Sequence, residues 1–317
     1  MTETRINDLI FKELIKRGYS LRGNTRVWNL ADSKLWYLTP EQAQAYLDLE
    51  KAKDYSELMF KAELEMLKKY MPEIQNKILH SDAINIIDIG CGDGKKARLP
   101  IDVLHKKAKI RYCPIDISSH MVTKALEEVR KLEKGEVVEF RWNISDFDNV
   151  ENIASLLRDS KYRQNFFIFL GDTISNFEIH EVLYEVVEAM DGDLDYLLIG
   201  LSTASKDPNE LMKPYDLEAN DKFFGLILSQ LDFKKDEIEF GVKFEHSRVE
   251  AFYTVKKSKT LEFSGRKVHF EEGDQILVGI SHRYTREELE RIMKIYFEEY
   301  TFFLDDKKSR ALILCKK

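Results

Sequence analysis

From about residue 84 the chain alternates short apolar runs with segments of helical periodicity, and no other feature of the sequence restricts its fold as much. The runs are INIIDIG, RYCPIDI, VVEFRWN, NFFIFLG and DYLLIGL. Such spacing is the signature of parallel strands joined by helical crossovers. Helical periodicity is clearest from His120 to Leu132 and from Glu178 to Met190, and Ser118 or Ser119 can cap the first of these. The expected class is therefore α/β with an open sheet. Near the end, YFEEYTFFLDD, a polar turn around Lys307 to Ser309 and RALILCK read as a terminal β-hairpin that completes seven strands.

Two segments stand outside the alternation. Residues 1–60 read as mostly helical, with Ile6, Leu9, Ile10 and Leu14 on one face of the first helix. Residues 205–284 start helical and then alternate like antiparallel strands, with turn signals at Ser264–Gly265 and at Glu272–Gly273–Asp274. We expect these two segments to form a smaller, discontinuous α+β domain. The larger core then spans residues 61–204 and is completed by residues 285–317.

Composition narrows the class of function. The 317 residues are 44% hydrophobic and 33% charged, an ordinary globular balance. The N-terminal stretch carries Arg5, Asp8, Lys12 and Glu13 among its apolar residues, which does not suit a signal peptide, and no apolar run approaches the roughly 18 residues a membrane span needs. A cytoplasmic protein without a membrane partner is expected. Three cysteines, Cys91, Cys113 and Cys315, lack metal-ligand spacing and are odd in number, so we expect neither a metal site nor a disulfide framework. A formal net charge of -7 offers no general attraction to nucleic acid.

The first apolar run opens into IIDIGCGDGKKA, with Asp88 followed by Gly90, Gly92 and Gly94. Glycines there let a ligand approach the backbone and a helix start beside it. A dinucleotide site uses the wider G-x-G-x-x-G spacing to seat a pyrophosphate. Asp116 ends the second run, where a carboxylate can accept from both hydroxyls of a ribose or can cap a helix. Asp146 and Phe147 follow the third run; they can accept from an adenine amino group and stack on its ring, or form an Asx-turn and a piece of core. Their placement after successive runs favours the ligand readings.

IDIGCGDGKKA, YCPIDIS, SDFDN and FLGDTISNF together resemble the histidine-specific N-methyltransferases of the ergothioneine pathway, whose relatives include fungal enzymes that methylate the amine of a prenylated tryptophan. The most specific segment, G-[ST]-T-I-G-N after the fourth strand, here reads Gly171-Asp172-Thr173-Ile174-Ser175-Asn176. KLWYLTPE and AKDYSELMFKAELEML are also similar to the family's N-terminal region, so the resemblance covers most of the chain. It implies a class I methyltransferase fold, Rossmann-like, whose cofactor is S-adenosylmethionine (SAM). Gly90, Gly92, Lys96, Asp116, Asp146, Phe147 and Gly171, with Asp88 before them, would hold SAM. Tyr37 would reach it from an N-terminal lid. Asn176 would bind the amino or carboxylate group of a small, amino-acid-like substrate that Tyr55 helps to frame.

The chain departs from that pattern at the side-chain pocket. The resemblance implies a glutamate two residues before a serine on the last inserted strand; Leu277-Val278-Gly279-Ile280-Ser281 keeps Ser281 and has Gly279 instead. Ala251 stands where the family strand carries a methionine. Both changes are large to small and predict room for a side chain larger than histidine's. Asp172 adds a carboxylate that can hold a substrate ammonium ion or serve as a solvated helix cap. Transfer to an amine also requires a proton acceptor, for which Tyr37, Tyr55, Asp172 or solvent would serve. Alternative readings are a methyltransferase acting on protein or nucleic acid, and a catalytically silent SAM-binding protein.

Overall fold

The structure, a computed structural model, describes residues 7–145 and 147–317; Ile6 and Asp146 of the expectations above lie outside them. Its strands, in chain order, are β1 (Tyr19–Arg22), β2 (Thr25–Asn29), β3 (Ala83–Ile89), β4 (Lys109–Ile115), β5 (Glu136–Val137), β6 (Gln164–Phe169) and β7 (Tyr196–Ser202). There follow β8 (Ile238–Glu245), β9 (Arg248–Val255), β10 (Lys259–Phe263), β11 (Arg266–Phe270), β12 (Gln275–His282), β13 (Glu299–Leu304) and β14 (Arg310–Lys316). The chain divides into two compact units, one of residues 1–55 and 206–282, the other of residues 56–205 and 283–317. No helix among the described residues is long and apolar enough to cross a membrane.

The second unit is a seven-stranded sheet of order β13-β14-β7-β6-β3-β4-β5. β5, β4, β3, β6 and β7 are parallel, and the hairpin β13–β14 adds antiparallel to β7. Every residue of β3, β6 and β7 is buried, as expected for central strands covered on both faces. Alternation sends Ile87, Phe167, Ile199 and Ile313 to a layer with helices Val150–Leu157, Ile179–Ala189 and Arg286–Tyr296. Ile86, Phe166, Leu198 and Leu312 face the opposite layer, under helices Ala62–Ile78 and Arg98–Leu104. The seven-stranded sheet and its hairpin agree with the sequence, as do the helices Ser119–Arg130, capped by Ser118, and Ile179–Ala189. Cys91, Cys113 and Cys315 are free and buried.

The third run is corrected. VVEFRWN does not continue as a strand: β5 is two residues long, and a 3-10 turn forms at Arg141–Asn143. Asn143 is the cause. Its buried side chain accepts from Phe140 N–H at 2.6 Å and donates to the Pro114 and Val138 carbonyls at 2.7 and 3.3 Å, so side-chain bonds fold the chain into a turn between the main-chain bonds that Val138 and Asn143 keep with β4 and its end.

The first unit carries a five-stranded sheet of order β1-β2-β12-β9-β8 and a separate hairpin β10–β11. β2 and β12 are parallel and the other pairs antiparallel. Its longer helices are Asp8–Arg17, Pro40–Lys51 and Glu218–Ser229. The mostly helical reading of the N-terminal segment has no place for the hairpin β1–β2, in which a two-residue Gly23–Asn24 turn joins YSLR to TRVWN. In the first helix Ile10 and Leu14 are buried as expected, while Leu9 is 47% exposed and Phe11 occupies the buried face.

Candidate functional site

In the second unit the carboxyl ends of β3, β4 and β6 carry the candidate residues, and specific contacts tie them together. Gly90, Gly92 and Gly94 all have positive φ, at 67°, 52° and 76°. At Gly94 the requirement is steric as well, since a Cβ would stand 2.8 Å from the Ala125 Cα. Gly92 differs: no heavy atom lies within 4 Å of where its Cβ would be, so this backbone is open to a ligand. Its N–H donates to Asp116 at 3.2 Å, and Ser118 N–H donates to the same carboxylate at 2.9 Å. Burial pushes the Asp116 carboxyl up to about 6 against those backbone donors. Asp88 is 4% exposed and accepts from the Tyr112 hydroxyl at 2.7 Å; burial pushes it up to about 7 despite that bond.

The turn after β6 packs against this loop. A Cβ on Gly90 would meet Thr173 Cγ2 at 2.8 Å, and one on Gly171 would meet Lys96 Nζ at 2.5 Å. Thr173–Asn176 form a 3-10 turn in which Asn176 is half-buried and Ser175 is buried with its hydroxyl unpartnered among the described residues. Phe147 is half-buried, edge-on to Phe177 with ring centres 4.7 Å apart and 5.6 Å from the ring of Phe169. The open backbone at Gly92, the carboxylate of Asp116 and the cation of Lys96 fit an adenosylated amino acid: the carboxylate suits ribose hydroxyls and the ammonium suits a methionyl carboxylate.

Asp172 is corrected. It is 4% exposed and makes no capping bond to the turn it precedes, so it is not a solvated cap. Its carboxylate accepts from Ser202 N–H, from Ser202 Oγ at 2.9 Å and from Arg310 Nη2 at 2.7 Å. Burial raises its carboxyl, but the charges of Arg310 and Arg283 and the Ser202 donors outweigh this and hold it below the usual range. A carboxylate so matched by guanidinium charge ties the end of β6 to β7 and β14.

In the first unit, Tyr37 is half-buried in an aromatic cluster with Trp36, Tyr46 and Phe223, at ring separations of 6.3, 5.5 and 6.1 Å. Tyr55 is 9% exposed and shares a hydrogen bond with Tyr46. Burial, then the neighbouring Glu50, Tyr55 and Tyr37, push the Tyr46 hydroxyl well above its ordinary value, so it stays protonated at neutral pH. Ala251 and Gly279 face each other across β9 and β12, beside a bulge between Leu277 and Gly279. The Val278 carbonyl in that bulge accepts from Trp36 Nε1 at 2.8 Å. Ser281 is buried and accepts from the Tyr215 hydroxyl at 3.0 Å.

The predicted room at Gly279 is also corrected. A Cβ there would stand 2.7 Å from Phe224 Cζ and 3.4 Å from the Ala251 Cβ. Phe224, 5% exposed and packed edge-on to Trp36 at 5.5 Å, fills the space that the small residues vacate. Sequence reasoning missed Phe224, Tyr46, Tyr215, Glu63 and Arg310. Phe224 lies on the buried face of the helix Glu218–Ser229, and nothing local in the sequence says which strand residue it covers. Among the described residues no group of three or more His, Cys, Asp or Glu side chains is placed to hold a metal ion.

Comparison with known proteins adds an independent finding. A family model described as histidine-specific, SAM-dependent methyltransferase matches residues 45–317. Ergothioneine biosynthesis protein 1 of Schizosaccharomyces pombe is 26% identical over 122 residues, 38% of this chain and 16% of that protein. The N-methyltransferase imqF of Aspergillus flavus is 23% identical over 249 residues, 73% of this chain and 66% of that protein. This chain thus spans less than two thirds of the length of either relative. The solved structure of the CurJ carbon methyltransferase aligns with a TM-score of 0.46 at 12% identity, covering 85% of this chain and 57% of that one.

Proposed function

This chain belongs to the family of histidine-specific, SAM-dependent methyltransferases, and from that premise we propose that it methylates the α-amine of a small, amino-acid-like acceptor for which histidine is not the preferred choice. The observation that carries the methyl-transfer reading is the convergence of the glycine loop, Asp116 and the Gly171–Asn176 turn at one end of the parallel sheet. SAM, when bound, supplies a sulfonium whose methyl group is already activated. What remains for the protein is alignment of a neutral amine and exclusion of water. Gly90, Gly92, Lys96, Asp116, Phe147 and Gly171 are assigned to the cofactor, Asp116 through the ribose and Lys96 through the carboxylate.

Asn176 is assigned to the acceptor's amino or carboxylate group. An amide suits either, since it donates and accepts. Tyr55 and Ser281 are assigned to acceptor recognition. An α-amine with a pKa of about 8 is largely protonated at neutral pH and must lose a proton before transfer. Asp172 is matched by Arg310 and is withdrawn from that role, which leaves Tyr37, Tyr55 or loss to solvent. The side-chain preference follows from Gly279: no carboxylate stands there to grip an imidazole, and Phe224 makes the position apolar.

Mass spectrometry of purified protein incubated with SAM and a panel including histidine, tryptophan and their alkylated relatives tests both parts. Methylation of an amino acid other than histidine is the expected result. Histidine as the best acceptor refutes the side-chain reading alone. SAM binding without any methylated amino acid refutes the acceptor class, in favour of a macromolecular acceptor or a silent SAM-binding protein.

A further inference from the structure

Glu63, in the first turn of the helix Ala62–Ile78, is a charged residue 1% exposed and joined to two segments of the candidate cofactor site. Its two carboxylate oxygens accept from the Gly171 N–H at 2.9 and 3.0 Å. One of them lies 3.3 Å from Lys96 Nζ, whose side chain is 18% exposed. The Lys96 ammonium also lies 5.3 Å from the centre of the Phe60 ring. Glycines make this arrangement possible: a Cβ on Gly171 would collide with the Lys96 ammonium, and one on Gly200 in β7 would collide with the Glu63 carboxylate. The helix that carries Glu63 has no side-chain cap at its start, and Glu63 is turned to the sheet rather than to its own backbone.

A buried carboxylate is costly unless matched, and Glu63 pairs with Lys96, which reaches from the glycine loop to Gly171. Lysine is a flexible point charge that loses much rotamer freedom when immobilised. Left to itself, Lys96 would lose that freedom each time a ligand bound. We infer that Glu63 is a positioning residue for the amino-acid end of the cofactor: it holds the Lys96 ammonium and the Gly171 backbone where the methionyl carboxylate of SAM is received. This rests on the assignment of the loop to SAM. Glu63 touches neither the methyl group nor the acceptor; it acts through Lys96.

The test is binding, measured by calorimetry on the full chain with two ligands, S-adenosylhomocysteine and 5′-methylthioadenosine, which lacks the amino-acid carboxylate. Glu63→Gln should weaken S-adenosylhomocysteine about tenfold or more while moving methylthioadenosine less than about twofold. In a Lys96→Met background the same substitution should add little, because the group it positions is gone. Equal weakening of both ligands would make Glu63 a general support of the loop and overturn the inference. So would tighter binding of S-adenosylhomocysteine, which would mean that Glu63 competes with the cofactor for Lys96. If Glu63→Gln does not fold, Glu63→Asp keeps the charge with a shorter reach and gives the same comparison. Failure of the unaltered protein to bind either ligand would instead refute the cofactor assignment itself.

Discussion

Replacing Asp172 by alanine separates a structural carboxylate from a catalytic one. The substitution removes the acceptor of Ser202 N–H, Ser202 Oγ and Arg310 Nη2 and leaves a guanidinium that is 4% exposed without its counter-charge. An uncompensated buried charge costs about 3–5 kcal/mol. Asp172 also has φ of 59°, and alanine in that left-handed conformation adds about 1–2 kcal/mol. In a domain of the 150–250-residue class, where about 2–4 °C accompanies each kcal/mol, the charge alone should lower the Tm by roughly 6–20 °C. Asp172→Asn, which tolerates the left-handed conformation and keeps a neutral acceptor, should lose less. Adding Arg310→Met to Asp172→Asn should recover part of the loss, since removing both charges avoids the stranded one. Scanning calorimetry, run beside S-adenosylhomocysteine binding, reads all three. An alanine variant with unaltered Tm but no methyl transfer would refute the structural assignment and return Asp172 to the acceptor's ammonium ion.

Four further expectations follow from the same geometry. Gly279→Glu alone should destabilise by about 1–3 kcal/mol, because its Cβ meets Phe224 Cζ at 2.7 Å, and should not create histidine turnover; adding Phe224→Ala should cost less than the two single substitutions summed, because it removes the clash, which melting curves and histidine KM together would check. Gly94→Ala combines a φ of 76° with a Cβ 2.8 Å from the Ala125 Cα, and should lower Tm and weaken S-adenosylhomocysteine together. With the Asp116 carboxyl at about 6, S-adenosylhomocysteine affinity should fall as pH drops below 6, and Asp116→Asn should be weak and flat with pH in the same titration. Stability runs the opposite way: the folded state holds the Asp116 and Asp88 protons beyond the ordinary 3.8, to about 6 and about 7, so this contribution is full below 3.8 and is lost as pH rises through 6 and 7. Asp88→Asn should therefore help the Tm more at pH 8 than at pH 4.

Much of the catalytic-type unit was legible because its determinants are local. Continuous apolar runs announce strands covered on both faces, a capping serine announces Ser119–Arg130, and glycines directly after β3 announce a turn that side chains would block. Even the missed hairpin β1–β2 left a local trace, since Gly23–Asn24 is a two-residue turn signal between two short strands; helical periodicity on either side masked it. The edge strand β5 failed for the opposite reason, because a single asparagine, Asn143, turns the chain with bonds to Pro114 and Val138 that apolar spacing cannot express.

What only the tertiary structure decided is who meets whom. Arg310 matches Asp172 across 138 positions, and Glu63 reaches Gly171 across 108. Phe224, from a helix, fills the space that Gly279 leaves on a strand, turning an expected enlargement into a closed apolar wall. Backbone sterics and hydrophobic periodicity act within a few turns of chain, so a sequence states them directly. Charge matching and cavity filling depend on how distant segments cross, and they exist only once the sheet has brought the ends of β6, β7 and β14 side by side.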